Sequence, residues 1–299
     1  RLLWTLDHLG FGFTFFLVLD GGCFMLHTKL WSSSNWNKHM HNNLFPREML
    51  STDETLPAIL LITGPNGAGK SAGKTTLVKH TLKDRVQAQH GYFLVGKFDP
   101  LQKPEPYRGF VSAFTQFAYH VVERGPEVIS EMRQSIIDAV GEECSVLVSM
   151  IPALDLILGV CRSTCRQKKS ENTLQRFIFV FKLFVRAVST MEGPVVLLID
   201  DLHWADPCSI QLLGGVVMDL KNNTGMLVAG TLDEAVISKD NFLSQMEGTL
   251  EGVVAHMAIG NLIESDVVLL LDNVLELGHL GGSDDLGEIV SSQTKGNPL

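Results

Sequence analysis

"GPNGAGKSAGKTTL", Gly64 to Leu77, carries the dipeptide Gly-Lys twice, four residues apart, and a hydroxyl residue follows each copy. The apolar run "PAILLIT" (57–63), rich in branched side chains, leads straight into it. Behind it, "TTLVKHTLKDRVQAQ" sets Leu77, Val78, Leu82 and Val86 on one helical stripe that stops at Gly91. Strand, glycine turn and helix follow one another within about thirty residues, as a phosphate-binding loop requires. Gly64 through Pro65, Asn66, Gly67 and Ala68 to Gly69, Lys70 and Ser71 satisfies the spacing Gly-x4-Gly-Lys-Ser. Glycines allow backbone amides to turn inward around phosphate oxygens, and the helix N-terminus adds the positive end of its dipole. The lysine reaches the outer phosphates and the hydroxyl holds magnesium.

The loop and the helix count differently. From the strand, Gly64 is the first glycine and Lys70 follows at the right distance, with Ser71 as the metal hydroxyl. From the helix, Leu77 and Val78 should come two and three residues after that hydroxyl, which selects Thr75 and with it Lys74. An insertion resembling "SAGK" inside an ordinary "GPNGAGKTTLV" reconciles the two. Four residues turn a helix by about 1.1 turns, so the insertion is expected to be absorbed as an extra turn with Gly73 as its weak point. This count selects Lys70 and Ser71, with Lys74 and Thr75 as the alternative.

Further along, "YFLVGKF" reads as a second strand, "VVLLID" (Val195 to Asp200) as a third and "MLVAGT" (Met226 to Thr231) as a fourth. A helical pattern fills most of Tyr107 to about Arg186, and another helix covers about Ser209 to Leu220. The alternation predicts an α/β fold with a parallel sheet covered by helices on both faces. The second magnesium element is expected at the tip of another apolar strand, and Asp200 in "VVLLIDDLHWAD" stands there as a Walker B carboxylate. Asp201, one residue on, is placed to polarise the attacking water. Asp206 before Pro207 reads as a helix cap. His203 is expected either at the nucleotide or packed beside the turn. Thr231, at the end of the fourth strand, is placed either to sense the terminal phosphate or simply to end the strand.

The 299 residues are 45% hydrophobic, enough to bury a core, and 33 acids against 24 Lys and Arg give a net charge of -9. That balance argues against a broad nucleic-acid footprint. Five scattered cysteines, Cys23, Cys144, Cys161, Cys165 and Cys208, lack zinc-knuckle spacing and fit a reducing, cytoplasmic setting. The chain does not open on Met and stops at "KGNPL", which reads as a piece of a longer protein. Residues 1–43 differ from the rest. Their apolar run "LGFGFTFFLVL" reaches membrane-spanning length only by crossing Asp20, so a buried strand or interfacial segment is expected in place of a span. His39 and His41 lack a third ligand for a metal site.

Taken together, "LLIDDLHWADP", "GKFDPLQKPEPYRGFVSAF", "IPALDLILG", "RFIFVFKLFVRA" and "TKGNPL" resemble the AAA-type ATPase domain of the STAND class of signalling NTPases. Modules of that kind are attached to protein kinases, histidine kinases and nucleotide cyclases. The resemblance implies a P-loop NTPase domain over 44–260 and the start of a small helical lid over 261–299. It gives the phosphate loop to Gly64 through Ser71, the magnesium carboxylate to Asp200 and the water-polarising acid to Asp201. Gly296, Asn297 and Pro298 match the motif that opens the lid beside the nucleotide. Phe45, Arg47 and Glu48 match a segment near the adenine, with Pro46 where the family has glycine. The family also carries an arginine just after the fourth strand, whereas here Leu232 and Asp233 follow Gly230 and Thr231.

The resemblance therefore implies ATP and Mg2+ as ligands, an attached signalling output domain and possible self-association. Two functions follow: a magnesium-dependent ATP-hydrolysing regulatory switch, or a nucleotide-binding scaffold that no longer hydrolyses. A DNA-associated initiator ATPase is the third and weakest reading, since the chain is acidic.

Overall fold

Alternation within each strand decides how this chain is layered, and the computed structural model shows it directly. The structure describes residues 2–6, 13–19, 22–26, 59–64, 66–67, 70–71, 74–99, 101, 105–159, 173–190, 193–220, 226–233, 254–261, 264–265, 267–268, 271 and 283–295. Near the N-terminus, β1 (Leu2–Leu6), β2 (Phe13–Leu19) and β3 (Gly22–Leu26) pair antiparallel in sequence order. The apolar run across Leu9 to Leu19 thus contributes a strand.

The phosphate-loop region begins with β4 (Ile59–Gly64), followed by two two-residue strands, β5 (Asn66–Gly67) and β6 (Lys70–Ser71). Then come α1 (Lys74–Ala88), β7 (Tyr92–Lys97), α2 (Arg108–Glu123) and α3 (Pro126–Val140). Short helical turns at Cys144–Met150 and Asp155–Leu158 lead on to α4 (Thr173–Ser189). β8 (Val195–Asp200), α5 (Pro207–Leu220), β9 (Met226–Asp233), β10 (Val254–Ala258) and α6 (Ser283–Thr294) complete the order.

The central sheet has five parallel strands in the order β10-β4-β9-β8-β7. Because successive side chains point to opposite faces, each strand feeds two cores. Leu60, Ile62, Phe93, Val196, Leu198, Leu227 and Ala229 join Val78, Leu82 and Val86 of α1 on one side. Ile59, Leu61, Leu94, Val195, Leu197, Ile199 and Val228 join α2, α3, α4 and α5 on the other. Helices on both faces and a parallel sheet match the sequence expectation. β9 extends two residues past Thr231, to Asp233, because Leu232 is itself buried and Asp233 pairs with Gly64.

The larger core is aromatic. The Phe114 ring lies 5.1 Å from Phe181 and 5.2 Å from Phe184, edge to face in both cases. Truncating one such ring to alanine typically costs about 3–5 kcal/mol, so this layer is what fixes α2 and α4 to the sheet. Gly96 lets α2 come so close to β7: a Cβ there would meet the Gly109 carbonyl oxygen at 2.3 Å.

Candidate functional site

The carboxyl ends of β4, β7, β8 and β9 lie side by side, and the charged and hydroxyl groups of the sequence motifs collect there. Open parallel sheets bind ligands at this edge.

The duplicated Gly-Lys resolves in an unexpected way. β5 and β6 form a tight antiparallel hairpin, pairing Asn66 with Ser71 and Gly67 with Lys70. Helix α1 begins only at Lys74. Lys70 and Ser71 thus lie in a short strand and not in the expected extra helical turn, and the helix starts at the second Gly-Lys pair. Setting aside 68–71 brings Gly67 next to Ala72 in the chain order and restores "GPNGAGKT" ahead of the helix. Hairpin pairing satisfies backbone groups that an added turn would have had to satisfy while shifting the apolar stripe of α1 by about 40°.

Lys74 is 1% exposed, the most deeply buried charged side chain among the described residues. It shares its helical face with Val78, Leu82 and Val86, and its Nζ donates to the carbonyl oxygen of Gly64 at 2.9 Å. A buried ammonium is costly unless it is bonded, and this carbonyl helps to hold it at the end of β4. Gly64 is itself fixed by close approach, since a Cβ would meet the Ile259 carbonyl oxygen at 2.7 Å. Lys70 and Ser71 sit in the hairpin strand; Pro65, Ala68 and Gly69 lie outside the described residues.

The next residue, Thr75, donates its hydroxyl hydrogen to Asp200 Oδ1. Thr231, fully buried, donates to the same oxygen at 2.6 Å and accepts a hydrogen bond from the Asp201 amide at 2.9 Å. These two bonds turn the Thr231 hydroxyl toward β8, so it braces the acidic pair. Asp200 is buried and closes β8, while Asp201 turns away in the left-handed region at φ 55° and ψ 44°. A non-glycine residue there costs about 1–2 kcal/mol; the bonds from Asp201 N to Thr231 and from Trp204 N to the Asp201 carbonyl (2.9 Å) hold it.

Lys97, at the end of β7, approaches Asp201 Oδ2 at 3.4 Å and Asp200 Oδ2 at 3.9 Å. Local sequence pattern assigns Lys97 no role, because its parallel pairing with Asp200 becomes visible only in the sheet register. His203 lies half-buried in the following turn, and its Nδ1 has no hydrogen-bond partner among the described residues. Burial lowers its pKa below the ordinary value, Asp201 and Asp233 pull the other way, and Lys74 adds to the lowering.

Asp206 caps α5 as its position before Pro207 suggested. Its Oδ1 accepts from the Ser209 amide at 2.9 Å, its Oδ2 accepts from the Ser209 hydroxyl, and Tyr107 N donates to Asp206 Oδ2 and Ser209 Oγ at 3.3 and 3.0 Å. The cap thus ties the segment before α2 to the turn after β8. Burial, with Cys208 and Asp206 beside it, pushes the Tyr107 phenol up to about 12.

Among the described residues no group of three His, Cys, Asp or Glu side chains forms a metal cage. Thr75 and Asp200 nevertheless bring together two hard oxygen donors of the kind magnesium takes alongside phosphate oxygens and water. Among the described residues no helix is long and apolar enough to cross a membrane. Phe45, Arg47, Glu48, Gly296, Asn297, Pro298, His39 and His41 lie outside the described residues.

Comparison with known proteins agrees with this arrangement. Residues 48–228 match the model of the AAA ATPase domain family. The chain is 29% identical over 154 residues to hybrid signal transduction histidine kinase G of Dictyostelium discoideum, covering 52% of this chain and 4% of that protein. It is 21% identical over 289 residues to the peroxide stress-activated histidine kinase mak2 of Schizosaccharomyces pombe, covering 90% of this chain and 12% of that protein. It therefore spans only a small part of either relative's length. A solved STAND protein with a tetratricopeptide repeat sensor, from Pyrococcus horikoshii, aligns with a TM-score of 0.41 at 13% identity, over 84% of this chain and 28% of that one. With a five-stranded parallel sheet, a phosphate-loop sequence at the end of β4, an acid pair at the end of β8 and a family match spanning both, the chain belongs to the AAA ATPase domain family.

Proposed function

We propose that the chain binds ATP with magnesium at the carboxyl edge of the sheet and hydrolyses it as the switch domain of a larger cytoplasmic signalling protein. One observation carries this reading: Lys74 and Thr75, adjacent at the start of α1, reach the end of β4 and the end of β8 respectively. Those two side chains draw a loop carbonyl and an acidic strand tip toward one point. Lys74 serves as the phosphate lysine and Thr75 as the metal hydroxyl, while Lys70 and Ser71 ride on the extruded hairpin. Gly64, Gly67, Gly73 and their neighbours supply backbone amides to the phosphates. Magnesium, when bound, neutralises charge on the outer phosphates; Thr75 and Asp200 hold it, Asp201 accepts a proton from the attacking water, and Thr231 keeps both acids in place.

The kinase relatives support an output domain attached to this one, with the lid over 261–299 relaying the nucleotide state to it. Self-association is a further expectation of that arrangement. Phosphate release by wild type, Asp200→Asn and Asp201→Asn, with and without magnesium, tests the reading. Magnesium-dependent release by wild type that falls by about a hundredfold or more in Asp201→Asn supports the switch. Equal, slow release by wild type and Asp201→Asn, with ATP bound by both, replaces it with the non-hydrolysing scaffold.

A further inference from the structure

Lys97 is a cation at this edge that the proposed reaction has not used. Its ammonium touches the two acids that face the nucleotide, yet the side chain is 60% exposed, against 8% for Asp200 and 20% for Asp201. The backbone beneath it is fixed, since Phe98 N donates to the Asp200 carbonyl at 3.1 Å and Lys97 is in register with Asp200. A firmly rooted residue with a solvated head is free to change partners, and an exposed ion pair of this kind holds it only weakly.

The local charge balance calls for such a group. A terminal phosphate lying against Asp201 would meet the carboxylates of Asp200 and Asp201, with Asp233 at the neighbouring tip of β9. At the end of β9, where the resemblance implies an arginine after Gly230 and Thr231, stand Leu232, which is buried, and Asp233. Lys74 enters from the β4 side, and the β7 side lies across β9 and β8 from it. Lys97 approaches from that side.

We infer that Lys97 is a second phosphate-binding lysine of this site: it exchanges Asp201 for the terminal phosphate of a bound nucleoside triphosphate and thereby distinguishes triphosphate from diphosphate. The inference rests on the nucleotide-binding reading above. During hydrolysis the water oxygen bonds to the terminal phosphorus, the bond to the bridging oxygen breaks with its electron pair leaving on the diphosphate, and Asp201 takes the water proton. Lys97 forms no covalent bond and supplies a counter-charge where negative charge accumulates on the transferred group.

Fluorescent ATP and ADP analogues titrated with magnesium into the 299-residue chain test this. Lys97→Met keeps the stem and removes the charge, whereas Lys97→Arg keeps the charge. Lys97→Met is expected to weaken the triphosphate by about tenfold or more while changing the diphosphate by no more than about twofold, with Lys97→Arg restoring most of the loss. The same loss is expected in an Asp201→Asn background, where no Asp201 charge remains to be neutralised. Equal effects on both nucleotides, no effect on either, or a loss that vanishes in Asp201→Asn would overturn the inference and make Lys97 a counter-ion of Asp201 alone. Failure of the unsubstituted chain to bind either nucleotide would instead refute the nucleotide-binding reading, and the inference with it.

Discussion

Thr231 and Thr75 donate hydrogen bonds to one carboxylate oxygen, Oδ1 of Asp200. One hydroxyl comes from the neighbouring strand and is fully buried; the other comes from the first turn of α1 and faces the loop. Asp200 is thereby aimed before any nucleotide arrives, which is how a site avoids reorganising at the moment of reaction.

Replacing Thr231 by valine keeps the volume and removes both the bond to Asp200 and the acceptor for Asp201 N. A loss of about 1–3 kcal/mol is expected in denaturant unfolding, because two buried polar groups lose a partner. Magnesium-dependent ATP binding should weaken as well, though less than in Asp200→Asn. Unchanged stability together with unchanged metal dependence would show that Thr231 is only a strand residue.

Asp206→Ala separates capping from chemistry. The cap of α5 and one bond to Tyr107 N disappear, so a stability loss of about 0.5–2 kcal/mol is expected. Nucleotide affinity should stay within about twofold of wild type, since the hydrogen bonds of Asp206 go to Ser209 and Tyr107. A selective loss of ATP binding at unchanged stability would move Asp206 into the site.

His203 carries a pH signature. Its folded pKa lies below the ordinary 6.5 because burial disfavours the charged ring. Below 6.5 the unfolded chain binds the proton first, so stability falls as pH drops from 6.5 through the lower folded value and levels off beneath it. His203→Gln should flatten that part of the stability curve, measured as unfolding midpoint between pH 7 and 5. A curve of unchanged slope would assign the acid sensitivity to other groups.

Much of the fold was legible because β4, β7, β8 and β9 are apolar runs and α1 has a clean 3.6-residue stripe; β10, with His256 inside it, was not. Asp200, Asp201 and the Asp206 cap could be placed for the same reason, being residues at strand ends or before a proline. What local pattern could not decide was the loop. Both Gly-Lys copies satisfy one half of the motif, and local pattern alone does not say that the helix starts at Lys74. Where the helix starts is a tertiary outcome, tied to Val78, Leu82 and Val86 packing against the sheet. Lys97 was missed for a related reason. Its partner lies about a hundred residues away, and nothing near "GKFD" signals that β7 and β8 are neighbours in register. β9 runs two residues past the apolar run that ends at Thr231, because the pairing of Asp233 with Gly64 continues the strand.

The assignment of the phosphate lysine is tested most directly by titrating ATP with magnesium into Lys74→Met and Lys70→Met side by side, with thermal unfolding to verify that both fold. Methionine retains the stem that Lys74 buries and removes only the ammonium. Loss of ATP affinity by about a hundredfold in Lys74→Met, with Lys70→Met within about threefold of wild type, is the expected result. The reverse pattern, affinity lost in Lys70→Met and kept in Lys74→Met, would contradict it and return the phosphates to the hairpin.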